Sequence, residues 1–202
     1  MRAPRTELNL TEWVVLALAA EGPTHGWAVV RLVGRGGPLG EAWSASRPLV
    51  YRAIARLLAD GLLRSTGPAE GHGPNRETLE ITTAGATSVT AWLGAPVDHV
   101  RDLRTAFLVK LLLLERRGED RGPLIARQRQ RLEPIAMRLA VQAADAAGSE
   151  RVVALWRVVS VDAAMQFLDS LDGTPDAATG ALGQRRGASP APLSPDPPMS
   201  RG

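Results

Sequence analysis

The chain has no cysteine, and Lys110 is its only lysine, so 23 of its 24 basic residues are arginine. Without cysteine there is no disulfide framework, no thiolate metal site and no cysteine nucleophile, an economy suited to a reducing cytosol. The sequence pI near 10.4 overstates a net charge of only +3, because guanidinium groups stay protonated at any relevant pH. Long apolar runs are missing too. AFLVKLLLL (106–114) carries Lys110 within it and is too short to span a bilayer. WVVLALAA (13–20) imitates a secretory signal. Glu7 and Glu12 interrupt its charged flank, however, and Asn9 with Glu12 makes a capping pair that favours a core helix.

Catalytic and metal signatures are equally scarce. His25, His72 and His99 are widely separated and have no ligand spacing, which argues against zinc. Ser, His and Asp are scattered with no nucleophile-elbow pattern. GRGGPLG (34–40) follows a helix rather than a strand and lacks the Lys-Ser/Thr ending of a phosphate loop, so it is expected to be a flexible connection. The expectation is a protein that is not an enzyme and has no cofactor.

With 45% apolar and 22% charged residues, the composition is that of a globular protein. Helical patterns cover 9–20, 24–34 after the Gly22-Pro23 break, and 46–60. LLRST (62–66) and ETLEIT (77–82) are short strand-like runs around GPAEGHGPN, which together predict a β-hairpin. Helical patterns resume at 83–95, 101–117, 121–147 and 149–171. Along the last of these, Val152, Leu155, Trp156, Val159, Ala163, Phe167 and Leu171 form one stripe. Residues 173–202 hold six prolines and five glycines and are expected to be a disordered tail.

The fold class expected is mainly α with a small β-hairpin: a winged helix-turn-helix domain (1–95), then a helical module that needs a partner surface (96–172) and the tail (173–202). In such a domain the third helix enters the DNA major groove and the hairpin lies on the flanking backbone. SRPLVYRAIARLLADGLLRS (46–65) fits the part. Leu49, Val50, Ala53, Ile54, Leu57 and Leu58 fall on one helical face, while Tyr51, Arg52, Ala55 and Ala59 lie opposite, with Arg56 on the flank and Arg47 in the first turn. Between Ser44 and Arg76 there are five arginines against Asp60 and Glu70, a local excess of three. The bland alternative is an ordinary solvated face.

LTEWVVLALAAEGPTHGWAV, then W-x-x-S-x-x-x-VYRAIARLLADGLL, then GPNRETLEITTAG, resembles the PadR family of bacterial transcriptional regulators over residues 8–95. The resemblance continues in VDHVRDLRTAFLVKLLLLERRG (97–118). It implies a cytoplasmic repressor that binds double-stranded DNA as a homodimer, with 96–172 as its helical dimerisation domain, in a family whose members often sense a small aromatic or drug-like effector. DNA contacts are then expected from Ser46, Arg47, Tyr51, Arg52 and Arg56 on the helix and from His72, Asn75 and Arg76 on the wing. The family's frequent Gly-Thr-Leu-Tyr-Pro is Pro48-Leu49-Val50-Tyr51-Arg52 here, and its aromatic residue in the second wing strand is Leu79, whereas Thr82 and Gly85 match the strand-to-helix junction. Helix 149–171 with segments 9–20 and 101–117 is the expected dimer interface.

Three further expectations follow from pattern. Trp13, Trp92 and Trp156 sit on apolar stripes and are expected in the core, and Trp43 in the turn before the recognition helix. His25 is expected to be structural. The Arg-rich segment 121–134 is expected to be a solvated face rather than a second nucleic-acid surface. The rival function is a winged-helix protein-interaction module that does not bind DNA.

Overall fold

The computed structural model describes residues 7–68 and 77–172. Three helices open the chain: α1 (Leu10–Ala19), α2 (Gly26–Val33) and α3 (Arg47–Ala59). The α1 start is the expected capping box. Asn9 accepts from the Glu12 amide, and the Glu12 carboxylate accepts from the Asn9 amide at 2.8 Å. Val14 to Ala19 are all buried, so α1 is the central post of the core, packed by α3 and by α4 (Thr83–Gly94).

The connection 34–40 is not the loose linker expected. The Leu39 amide donates to Leu32 C=O, the Ala45 amide to Val33 C=O, and the Leu39 side chain is fully buried. A Cβ on Gly37 or Gly40 would lie 2.2 Å from Arg31 C=O or 2.1 Å from Gly34 C=O, respectively. The glycines are there because backbone passes against backbone, an effect of close approach that looks like flexibility in a one-dimensional reading.

Gly61, at φ +68°, turns the chain out of α3 into β1 (Leu63–Pro68), which pairs antiparallel with β2 (Glu77–Ile81). The register sets Leu63 opposite Ile81 and Ser65 opposite Leu79, with an irregularity between Ser65 and Pro68. Thr24 bridges to Leu79 on the other side of β2, adding a one-residue third strand. Leu79 is buried, so the position that is often aromatic in the family is a packing position in this chain. The Thr82 hydroxyl closes the junction, donating to Gly61 C=O and accepting from the Gly85 amide. A Cβ on Gly85 would come within 2.3 Å of Leu62 C=O, which accounts for a glycine there.

This order of helices, hairpin and helix is a winged helix-turn-helix. The hairpin tip, with His72, Asn75 and Arg76, lies outside the described residues, as does the segment 173–202.

After α4 come α5 (Val100–Asp102), a π-helical turn (Leu103–Phe107), α6 (Leu108–Arg116), α7 (Gly122–Asp145) and α8 (Gly148–Asp172). The passage from α4 into these helices is fastened by side chains. Gln128 of α7, fully buried, accepts from the Val97 amide at 2.7 Å and donates to Val97 C=O at 3.0 Å. Lys110 of α6 donates to Ala95 C=O at 2.6 Å, and its ammonium lies over the Trp92 ring. Trp92 in turn stacks on Trp13 of α1, with centroids 5.3 Å apart. Polar side chains buried this deeply need partners, and both of these find them in the backbone of Ala95 and Val97, between α4 and α5.

Lys110 is only 3% exposed, and burial lowers its ammonium from the ordinary 10.5 to about 8, with the Asp98 charge pulling weakly upward. The folded chain therefore releases this proton at a lower pH than the unfolded chain. Between about pH 8 and 10.5 the unfolded state holds the extra proton, so this lysine's contribution to stability rises with pH across that window and its cost is fully present below it. Urea unfolding at pH 7 and pH 9.5 should show Lys110→Met losing a rise of about 2 kcal/mol that the wild type displays. Equal pH dependence in both proteins would mean that Lys110 stays protonated in the fold.

Three arginines of α7 are engaged within the chain. Arg127 donates to Gly94 C=O, Arg129 pairs with Asp169, and Arg131 pairs with Asp98. That supports the solvated-face expectation for 121–134.

Candidate nucleic-acid interface

Ser46 is the N-cap of α3, but its side chain makes no capping hydrogen bond. Pro in the first turn suits a helix start, since its missing N–H would be unpaired there anyway. Val50, Ala53, Ile54 and Leu57 are the buried residues of α3 and seat it on α1 and α2. The outward side carries Arg47, Tyr51, Arg52, Ala55 and Ala59, all exposed.

Leu49 departs from expectation. Assigned to the apolar face, it is 43% exposed. It lies about 90° from the centre of the buried arc, in the first turn of α3. Leu58, on the opposite edge, is half-buried.

The structure separates the nominated arginines into two groups. Arg56 turns inward: its Nη1 donates to Glu12 Oε1 at 3.1 Å, and its Nε lies 3.6 Å from Asp60. The Glu12 carboxylate, buried, thus caps α1 with one oxygen and holds α3 with the other. Arg64 on β1 forms a cross-strand pair with Glu80, its Nη2 at 2.6 Å. The excess of three positive charges counted along the chain is therefore reduced by Glu12 and Glu80, both outside the counted window. Among the described residues, Arg47 and Arg52 are the arginines of this face without a carboxylate partner.

Arg47 does have aromatic company. Its guanidinium lies over the Tyr51 ring, 5.5 Å from the centroid, and over the Trp27 ring at 5.9 Å. Trp27 is in the first turn of α2 and 42% exposed. Sequence reasoning did not single it out. His25 caps α2, its Nδ1 accepting from the Ala28 amide at 3.1 Å, which bears out the structural role expected for it.

Basic and aromatic side chains thus occupy the N-terminal half of α3, beside the start of α2 and the hairpin. This is the arrangement in which a recognition helix presents its first turns to base edges. Fold and face together define a winged helix-turn-helix protein with an appended helical pair.

No protein-family model and no curated protein sequence matches the chain. Among solved structures it is similar to Bacillus subtilis PadR in complex with operator DNA, with 16% identity over 81% of this chain and 97% of that one, TM-score 0.43. It is also similar to smu.1604c from Streptococcus mutans UA159, with 14% identity over 81% of this chain and 98% of that one, TM-score 0.40. A third likeness is B. subtilis PadR with p-coumaric acid, at 14% identity over 82% of this chain and 96% of that one, TM-score 0.37.

Proposed function

We propose that the chain is a PadR-type transcriptional regulator that binds double-stranded DNA through α3. The observation that carries this reading is the outward set Ser46, Arg47, Leu49, Tyr51 and Arg52, held on a helix whose other face is locked into the core. Arg supplies planar donors for phosphate oxygens and guanine edges, tyrosine and serine hydroxyls suit phosphates, and an exposed leucine suits a thymine methyl. Arg56 acts through position, keeping α3 on α1. His72, Asn75 and Arg76 complete the contact from the wing.

The regulator acts as a cytoplasmic homodimer on an inverted repeat, with half-sites about one helical turn, roughly 10 bp, apart. The interface is the face of α8 carrying Val152, Leu155, Trp156 and Val159; all four are exposed in the single chain. Trp156 is thus outside the core, contrary to the expectation from its stripe. The inward side of α8 is instead Val161, Ala164 and Leu168, packed against α7. The apolar residues of α1 and much of α6 are consumed within the chain, which narrows the interface expected from segments 9–20 and 101–117.

Repression is steric occupancy of a promoter, relieved when a small aromatic effector changes the separation of the two α3 helices. The cleft between α7 and α8, about 320 Å³ and lined by Leu139, Val153 and Arg157 among others, is large enough for a single-ring compound.

Arg52 tests the DNA reading. Arg52→Ala should weaken binding to all duplexes alike and reduce the salt slope by about one unit in gel shifts on DNA upstream of the gene. An unchanged slope rejects the phosphate role. Absence of any salt-dependent shift by the wild type would favour a protein-docking module instead.

A further inference from the structure

Arg47 could serve either as a loose surface charge or as a base reader, and its neighbours distinguish the two. A free arginine side chain samples many rotamers, and ordering it opposes binding. Here the guanidinium is flanked by two rings from two helices, Trp27 of α2 and Tyr51 of α3. Ring faces attract a guanidinium plane and leave its N–H edge for a ligand. Trp27 and Tyr51 are 42% and 43% exposed, so the bracket they form is open to a ligand.

Gly26 shows how closely the tyrosine ring is fitted to α2. A Cβ at this position would stand 2.9 Å from Tyr51 Cε1 and 3.3 Å from Ile54 Cδ1. Only a residue without a side chain lets the tyrosine ring lie against the start of α2. The bracket thus depends on the angle between α2 and α3, and that angle is held by the core below.

We propose that Trp27 is a specificity-determining positioning residue: with Tyr51 it holds the Arg47 guanidinium in one orientation for bidentate recognition of a guanine in each half-site. The inference rests on the DNA-binding reading above. It adds to that reading a division of labour, in which Arg52 follows the backbone and Arg47, aimed by a residue outside the recognition helix, selects a base. Bidentate arginine on guanine O6 and N7 is the pairing that the planar fork fits.

The test uses the full chain, with operators selected from a random duplex pool by the wild type. Arg47→Ala should relax preference at one guanine per half-site. Trp27→Ala should relax the same position, lower affinity for the selected operator about fivefold, and leave the salt slope unchanged. Trp27→Phe, which keeps a ring, should recover most of the preference, and Trp27→Ala added to Arg47→Ala should have no further effect.

The inference is overturned if Trp27→Ala keeps the guanine preference, if its effect adds fully to that of Arg47→Ala, or if Arg47→Ala changes only the salt slope. Any of these leaves DNA binding itself intact. Failure of the wild type to bind any duplex overturns the DNA reading and this inference together.

Discussion

Replacing Trp156 by glutamate is expected to turn the proposed dimer into monomers at micromolar concentration. Trp156 is 72% exposed in the single chain, and Val152 and Val159 beside it are also well exposed. Their spacing of four and three residues puts them on one stripe of α8. Leu155, 46% exposed, widens the same face. Contiguous apolar surface of this kind marks an association site, and in a two-fold dimer the same patch meets itself. A single substitution therefore enters the interface twice, removing two indoles and adding two charges that must be desolvated. Loss of at least about 4 kcal/mol of association energy, roughly a thousandfold in Kd, is the expected scale. Light scattering after size exclusion should report a dimer for the wild type and a monomer for Trp156→Glu. Affinity for a two-half-site operator should fall about a hundredfold, with single half-site binding nearly unchanged. A wild type that is monomeric at tens of micromolar, or a variant that stays dimeric, would refute the assignment.

Glu12→Ala carries the largest stability effect. The substitution removes both halves of one carboxylate's work, the cap on the Asn9 amide and the ion pair to Arg56. A lost cap costs about 1 kcal/mol, and a charge-assisted hydrogen bond to a half-buried arginine about 1.5–3 kcal/mol, so unfolding free energy should drop by about 3 kcal/mol. Arg56→Ala should be nearly as damaging, since it leaves a buried carboxylate with fewer partners. The double variant should cost less than the sum, a coupling of about 1–2 kcal/mol in urea melts. The DNA measurement separates position from contact. If Arg56 holds α3 rather than touching phosphate, Arg56→Ala studied below its melting temperature keeps the wild-type salt slope. A slope reduced by about one unit would place Arg56 on the phosphate backbone after all.

Much of the architecture was legible in the chain because it is written in local signals. Apolar periodicity marked the helices, Asn9 with Glu12 marked the start of α1, and the Gly22-Pro23 break separated α1 from α2. The strand-like runs paired as a hairpin, and the long 121–147 and 149–171 patterns became α7 and α8. The misreadings have a common cause. Gly37 and Gly40 looked flexible because the backbone they pass, at Arg31 to Arg35, is brought against them by an irregular turn that has no repeating spacing. Trp156 looked like core because an apolar stripe has the same spacing whether it faces its own chain or an open surface. Leu49 sat at the edge of its helical arc, where coverage depends on which neighbour reaches that far.

By itself, then, the sequence determined the secondary elements, their order as a winged helix followed by helices, and which side of 46–60 is apolar, since each rests on spacing within a few residues. Only the tertiary structure decided which charges of the candidate interface remain outward. Arg56 and Arg64 meet Glu12 and Glu80, 44 and 16 residues away, while Arg47 meets a tryptophan on another helix. Coulombic and ring contacts depend on distance in space, which no count along the chain contains.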